Sequence, residues 1–131
     1  MDKKLILDKV KAMRIYLNSI KGENLEKDSD PEKELEVNLI SNYEIIENNE
    51  NLLSIKVNSI LDIDPKILLD IELEHIIEYQ LNEKIDKKEI DDNINELLRP
   101  IGPEASFIIS FLSEKMINNY LILPPTIEIK K

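Results

Sequence analysis

The chain has 131 residues, 42% of them hydrophobic and 34% charged, enough for one domain with a real core and too few for two ordinary domains. Two Gly, no Cys and a single His exclude glycine-rich phosphate cradles, disulfides, thiolate metal sites, cysteine nucleophiles and most zinc or triad chemistry. Seventeen Lys and Arg against 27 Asp and Glu leave a net charge of -10, which repels nucleic-acid phosphates and suits a soluble protein or one that meets a basic partner.

Residues 1–9 open the chain with too short an apolar stretch for a secretion signal and are expected to be a flexible segment of a single domain spanning 1–131. No apolar run reaches the roughly 20 residues that span a bilayer, so no membrane insertion is expected and a cytoplasmic location is.

From about residue 10 to 80 apolar residues recur at every second position. The first strand is expected over Lys11–Ile20, where Met13, Ile15 and Leu17 alternate with Arg14, Tyr16 and Asn18. Residues 21–32 are polar, hold a Gly and a Pro, and read as a mobile connection. The second strand is expected over Glu34–Glu47, with Leu35, Val37, Leu39, Tyr43 and Ile45 on one face. Asn48–Asn51 is a hairpin turn, because Asn tolerates positive φ better than other residues with a side chain. The third strand is expected over Leu52–Ile63 and the fourth over Ile67–Tyr79, separated by an Asp64-Pro65 turn. These connections are too short for helical crossovers, so the strands are read as an antiparallel meander with one face buried and one wet.

After residue 85 the period changes to three or four. Asp86 and Glu89 have the spacing of a capping box, and Ile90, Ile94, Leu97 and Leu98 then form one apolar stripe. Pro100 ends that helix, and Pro103 is expected at the first position of the next. The second helix carries Ala105, Ile108, Ile109, Leu112 and Met116 as one stripe and Phe107, Phe111 and Leu112 as another, so it faces more than one surface. Asn118-Asn119 ends it, and the prolines extend the apolar tail Tyr120–Ile129. The expected fold class is α+β: a four-stranded antiparallel sheet with two C-terminal helices packed on one face.

Catalysis finds little support. His75 falls on the apolar face of the fourth strand with no second ligand at a useful spacing, and packing is the ordinary account of such a residue. Asp70, Glu72, Glu74 and Glu78 share the wet face, alternating with core residues, so they should be solvated, whereas catalytic carboxylates need burial or a like-charge partner. They read as a solvated strand face or a docking patch. The chain is therefore not read as an enzyme, and no metal or other cofactor is expected. The more telling feature is apolar surplus: the wide second helix and Leu121-Ile122-Leu123 exceed what one small sheet covers. Burial between copies and a groove for apolar segments of other chains both account for it.

In order along the chain, Arg14-Ile15-Tyr16, Leu97-Leu98-Arg99-Pro100-Ile101 with Glu104, and Leu121-Ile122-Leu123-Pro124-Pro125-Thr126-Ile127 resemble segments of the SecB protein-export chaperones. The match covers roughly residues 10–129. The resemblance implies a SecB-like fold and an ATP-independent chaperone that binds unfolded or precursor polypeptides. It implies client grooves lined by Leu25, Leu35, Phe107, Phe111, Leu112, Met116, Leu121 and Leu123. It implies a homotetramer, a dimer of dimers, built through Arg14, Ile15 and Tyr16 and through Ile90, Ile94 and Leu97. It implies docking of the SecA-type translocase motor on acids of the sheet face, for which Glu23, Asp70, Glu72 and Glu74 stand. Ser19 and Lys56 occupy positions where that family carries acids, and its acidic tail is missing. Two other roles are therefore expected alternatives: a dedicated chaperone of one partner, such as the antitoxin of a toxin–antitoxin pair, and an adaptor whose acidic face binds a basic protein.

Overall fold

The computed structural model describes residues 6–24, 36–64, 69–117 and 128–129. Four long strands, β1 (Val10–Asn24), β2 (Glu36–Asn48), β3 (Leu52–Asp64) and β4 (Leu69–Leu81), precede helices α1 (Lys87–Asp92), α2 (Ile94–Leu98) and α3 (Ile101–Ile117). A two-residue strand, β5 (Glu128–Ile129), completes the sheet in the order β1-β4-β3-β2-β5. The four long strands pair antiparallel, as expected, and β5 joins β2 in parallel.

The order is not a meander. β1 lies beside β4 and farthest of the long strands from β2, its successor in the chain. Alternation of apolar residues states which side of a strand is buried but not which strand it pairs with. Residues 25–35 are too many for a tight hairpin, so adjacency of β1 and β2 is not forced. The β2–β3 hairpin is as read: the Asn49 side chain accepts from the backbone N–H of Asn51 at 2.8 Å and of Leu52 at 2.9 Å.

The far limit of β1 moves. β1 continues through Lys21, Gly22 and Glu23 to Asn24, into the segment expected to be a loop, because each of these residues pairs with β4. Leu25 and Leu35 lie outside the described residues, as do Leu121 and Leu123. The first nine residues are not wholly a flexible lead: Ile6–Lys9 form a 3-10 turn with Ile6 in the core. Lys9 Nζ lies 2.8 Å from Glu89 Oε1, a hydrogen bond that raises the lysine pKa and ties the turn to α1.

The expected alternation places the core. Leu53, Ile55, Val57 and Leu61 of β3 and Ile71, Leu73, Ile77 and Tyr79 of β4 are buried on one face. Ile85, Ile90, Ile94, Leu97, Leu98 and Ile101 close over one part of that face. Each fully buried Leu or Ile contributes about 1.5–3 kcal/mol, so this seam dominates stability. Ile90, Ile94 and Leu97 were expected at an interface between copies. The structure instead buries them within the single chain, where they offer no surface to a partner.

Asp86 stands at the N-cap of α1 but makes no side-chain capping bond. The single helix expected from residue 86 to Pro100 is broken at Asn93, whose φ of -116° and ψ of 20° leave the helical region. Asn93 instead folds its side chain back, Nδ2 donating to the Glu89 carbonyl at 2.8 Å. The break turns α2 so that the Leu97 carbonyl accepts the Tyr79 hydroxyl proton. α3 starts at Ile101, two residues before Pro103, which still falls in the first turn, where a missing N–H costs no helical bond.

Candidate functional site

α3 packs against β4 and reaches β1. Ile101, Ala105, Ile109 and Ser113, spaced by four, form its buried stripe. The second apolar stripe is turned outward: Phe107 is 72% and Phe111 52% exposed, while Leu112 is half-buried. Lys115 Nζ lies 5.7 Å from the Phe111 ring centre, a cation on an otherwise apolar surface. Met116 falls in the last turn of α3, and its side chain lies outside the described part of the chain.

β1 adds apolar surface on the same side of the sheet. Met13 pairs with Tyr79 and Leu17 with His75, both buried residues of the helix-covered face. The register then shifts between Leu17 and Ser19, so that Ile20 pairs with Leu73 and joins that face as well. Met13, Leu17 and Ile20 are 48%, 37% and 44% exposed. Simple alternation separates Leu17 from Ile20 by an odd interval and puts them on opposite faces. The bulge at Asn18, which brings them together, leaves no mark in the hydrophobic pattern. Of the three interface residues expected in β1, Ile15 packs half-buried against the core, while Arg14 and Tyr16 are exposed on the opposite, helix-free face.

That helix-free face carries the acids. The register sets Glu23 beside Asp70 and Lys21 beside Glu72, and these residues with Gly22 line a shallow hollow of about 220 Å³. Glu74 and Glu78 are engaged within the sheet. Asn18 Nδ2 donates to Glu74 Oε2 at 2.6 Å, and Arg14 Nη2 lies 2.6 Å from Glu78 Oε1. Lys56, which stands where an acid was expected, lies 3.3 Å from Glu44 and 3.9 Å from Glu74. The face is thus acidic at the Glu23–Asp70–Glu72 end and close to neutral in its middle. Two exposed apolar residues, Ile60 here and Ile46 in the β2–β3 hairpin, were not singled out in the sequence.

No arrangement of these groups forms a nucleophile–base pair. His75 is buried and faces Leu17 and Val57 across the neighbouring strands. Ser41 and Ser59, also buried, are 2.7 Å apart and hydrogen-bond each other. No helix among the described residues is long and apolar enough to cross a membrane.

Four antiparallel strands followed by helices on one face, with an apolar surface left open, define a SecB-like fold. The chain superposes on the SecB-like chaperone Rv1957 of Mycobacterium tuberculosis, solved in complex with a ChAD peptide from the HigA1 antitoxin Rv1956, with a TM-score of 0.77. The match covers 91% of this chain and 92% of that one at 11% identity. A protein of unknown function from Streptococcus agalactiae matches over 87% of this chain and 99% of its own, with 12% identity and a TM-score of 0.40. No family model and no curated protein sequence matches the chain.

Proposed function

We propose that this chain is an ATP-independent chaperone that holds unfolded polypeptides on an open apolar surface and performs no catalysis. The observation that carries the reading is the pair Phe107 and Phe111, exposed one turn apart on a helix whose other stripe is fully enclosed. A folded monomer gains nothing from leaving two phenylalanines in water, whereas weak contacts with many apolar segments need such a surface. The SecB-like fold supports the same reading. We assign the protein to the cytoplasm and expect a homotetramer, in which several such surfaces add avidity.

Two finer readings differ in their partner. Export through the Sec translocase requires a basic motor to dock on Glu23, Asp70 and Glu72, the part of the sheet face that stays acidic. Glu74 is held by Asn18 and stands near Lys56, so it adds less. A dedicated chaperone of one antitoxin is the second reading, and the peptide bound to the similar M. tuberculosis protein favours it.

The test is a client refolding from denaturant. Substoichiometric to equimolar chaperone should delay refolding with no nucleotide present, and Phe107→Ser with Phe111→Ser should abolish the delay. Refolding that proceeds unaltered at several-fold excess of the intact protein would overturn the proposal. Purification from the host then separates the finer readings: one stoichiometric partner supports the dedicated chaperone, and a broad set of clients supports the general one.

A further inference from the structure

The outer edge of β2 is only partly covered. β5 lies along it in parallel, Ile40 beside Glu128 and Ser41 beside Ile129. Among the described residues no other part of that edge is paired. Residues 42–45 carry that edge on to the register shift between Ile45 and Glu47. An unpaired edge presents a row of backbone donors and acceptors, a template for a further strand. Side chains along this edge are matched to an apolar visitor: Tyr43 and Ile45 are half-buried against the core, and so is Ile129 of β5.

β5 shows what the edge accepts. It offers one branched apolar residue inward and one charged residue beside it. Among the described residues it is held by two pairs in parallel geometry, the weaker of the two ladder types, so it opens at low cost compared with the long strands. A weakly held strand on a longer edge acts as a competitor within the same chain. It masks the edge when nothing else is present and yields to a segment that pairs over more residues.

We infer that β5 is a displaceable occupant of a strand-addition site on β2, whose ligand is an extended segment of another polypeptide with branched apolar residues at alternate positions. Glu44, exposed on the other face of β2, favours Lys or Arg at the intervening positions of that segment. The inference rests on the polypeptide-binding reading above and names a second place where the client is held, apart from Phe107 and Phe111. While β5 is seated, the apparent affinity of the edge is reduced by the fraction of molecules in which it is open.

The experiment uses a disulfide staple, which is clean because the chain has no Cys of its own. Ile40→Cys with Glu128→Cys joins residues that are in register. The probe is a fluorescent, reduced and alkylated lactalbumin, a permanently unfolded polypeptide. Oxidation of the staple should weaken probe binding by about fivefold, and reduction should restore it; removal of residues 128–131 should strengthen binding by about threefold. Oxidised and reduced forms that bind equally overturn the inference and leave the proposed function standing. Binding by none of the forms, the unmodified chain included, overturns the proposed function and this inference with it. If the shortened chain fails to fold by circular dichroism, the staple decides alone.

Discussion

His75 is the residue with the least comfortable place in the molecule. It is fully buried, with Leu17 and Val57 opposite on the flanking strands, and among the described residues neither ring nitrogen has a hydrogen-bond partner. Burial holds its pKa below the ordinary 6.5, while the nearby Glu104 carboxylate pulls partly the other way. The folded chain therefore carries a neutral imidazole. As pH falls, the unfolded chain takes up the proton first, so the stability present above pH 6.5 is lost progressively below it. His75→Leu removes both the orphaned nitrogens and the proton uptake. It should raise stability by about 1–2 kcal/mol near neutral pH and flatten the fall between about pH 6.5 and 5. Urea unfolding at both pH values measures it, and a less stable His75→Leu at neutral pH would show that the ring makes bonds the fold needs. Tyr79 is the contrasting case. Burial, with Glu96 adding to it, pushes its pKa up to about 12, yet its hydroxyl is satisfied by the Leu97 carbonyl, so it titrates nowhere near physiological pH.

Among the elements, α3 divides its work between two stripes, and the division is testable. Ile109 lies wholly in the buried stripe, so Ile109→Ala should cost about 2–4 kcal/mol through lost burial and the cavity it leaves. Phe107→Ser with Phe111→Ser removes exposed rings and should change stability by no more than about 0.5 kcal/mol while client holding is lost. Thermal unfolding beside the refolding assay reads both. A double variant that unfolds as readily as Ile109→Ala would mean that the rings pack on something rather than bind it. These two stripes were legible in the sequence, because Phe107 and Phe111 are spaced by four and cannot share a face with Ala105 and Ile109. The face of β3 and β4 was legible for the same kind of reason, with period two in place of period four. What escaped was everything set by pairing. Nothing in the sequence of β1 states that it joins β4, that Asn18 bulges, or that Ile20 thereby lands beside Leu17. The stripe Ile90–Ile94–Leu97 was read correctly as apolar but misplaced, since periodicity says that a face is covered without saying whether its own sheet or another copy covers it.

For the whole molecule, the unsettled surface is the far edge of β1. It is a 15-residue edge strand with Met13, Leu17 and Ile20 exposed and no partner beyond β4 among the described residues. Edges of that length invite pairing with another chain unless charge or a bulge blunts them, and of the two register shifts in β1 the one at Asn18 presents more apolar surface, not less. Two copies joined through this edge would cover it, and native mass measurement should then find assemblies at multiples of the 15.3 kDa chain, with four copies expected. Leu17→Lys with Ile20→Lys should leave the monomer folded and shift the distribution to single chains. Salt adds a second, independent reading. Each copy brings a net charge of -10, so assembly gathers like charges and should tighten as ionic strength rises from about 0.05 to 0.5 M. A basic partner docked at Glu23, Asp70 and Glu72 would respond in the opposite sense, because the same ions screen an attraction. Sedimentation across a salt series, with and without Glu72→Lys, therefore separates the two surfaces. Assembly that loosens with salt would mean that copies meet through pairs of opposite charge and not through the apolar edge of β1.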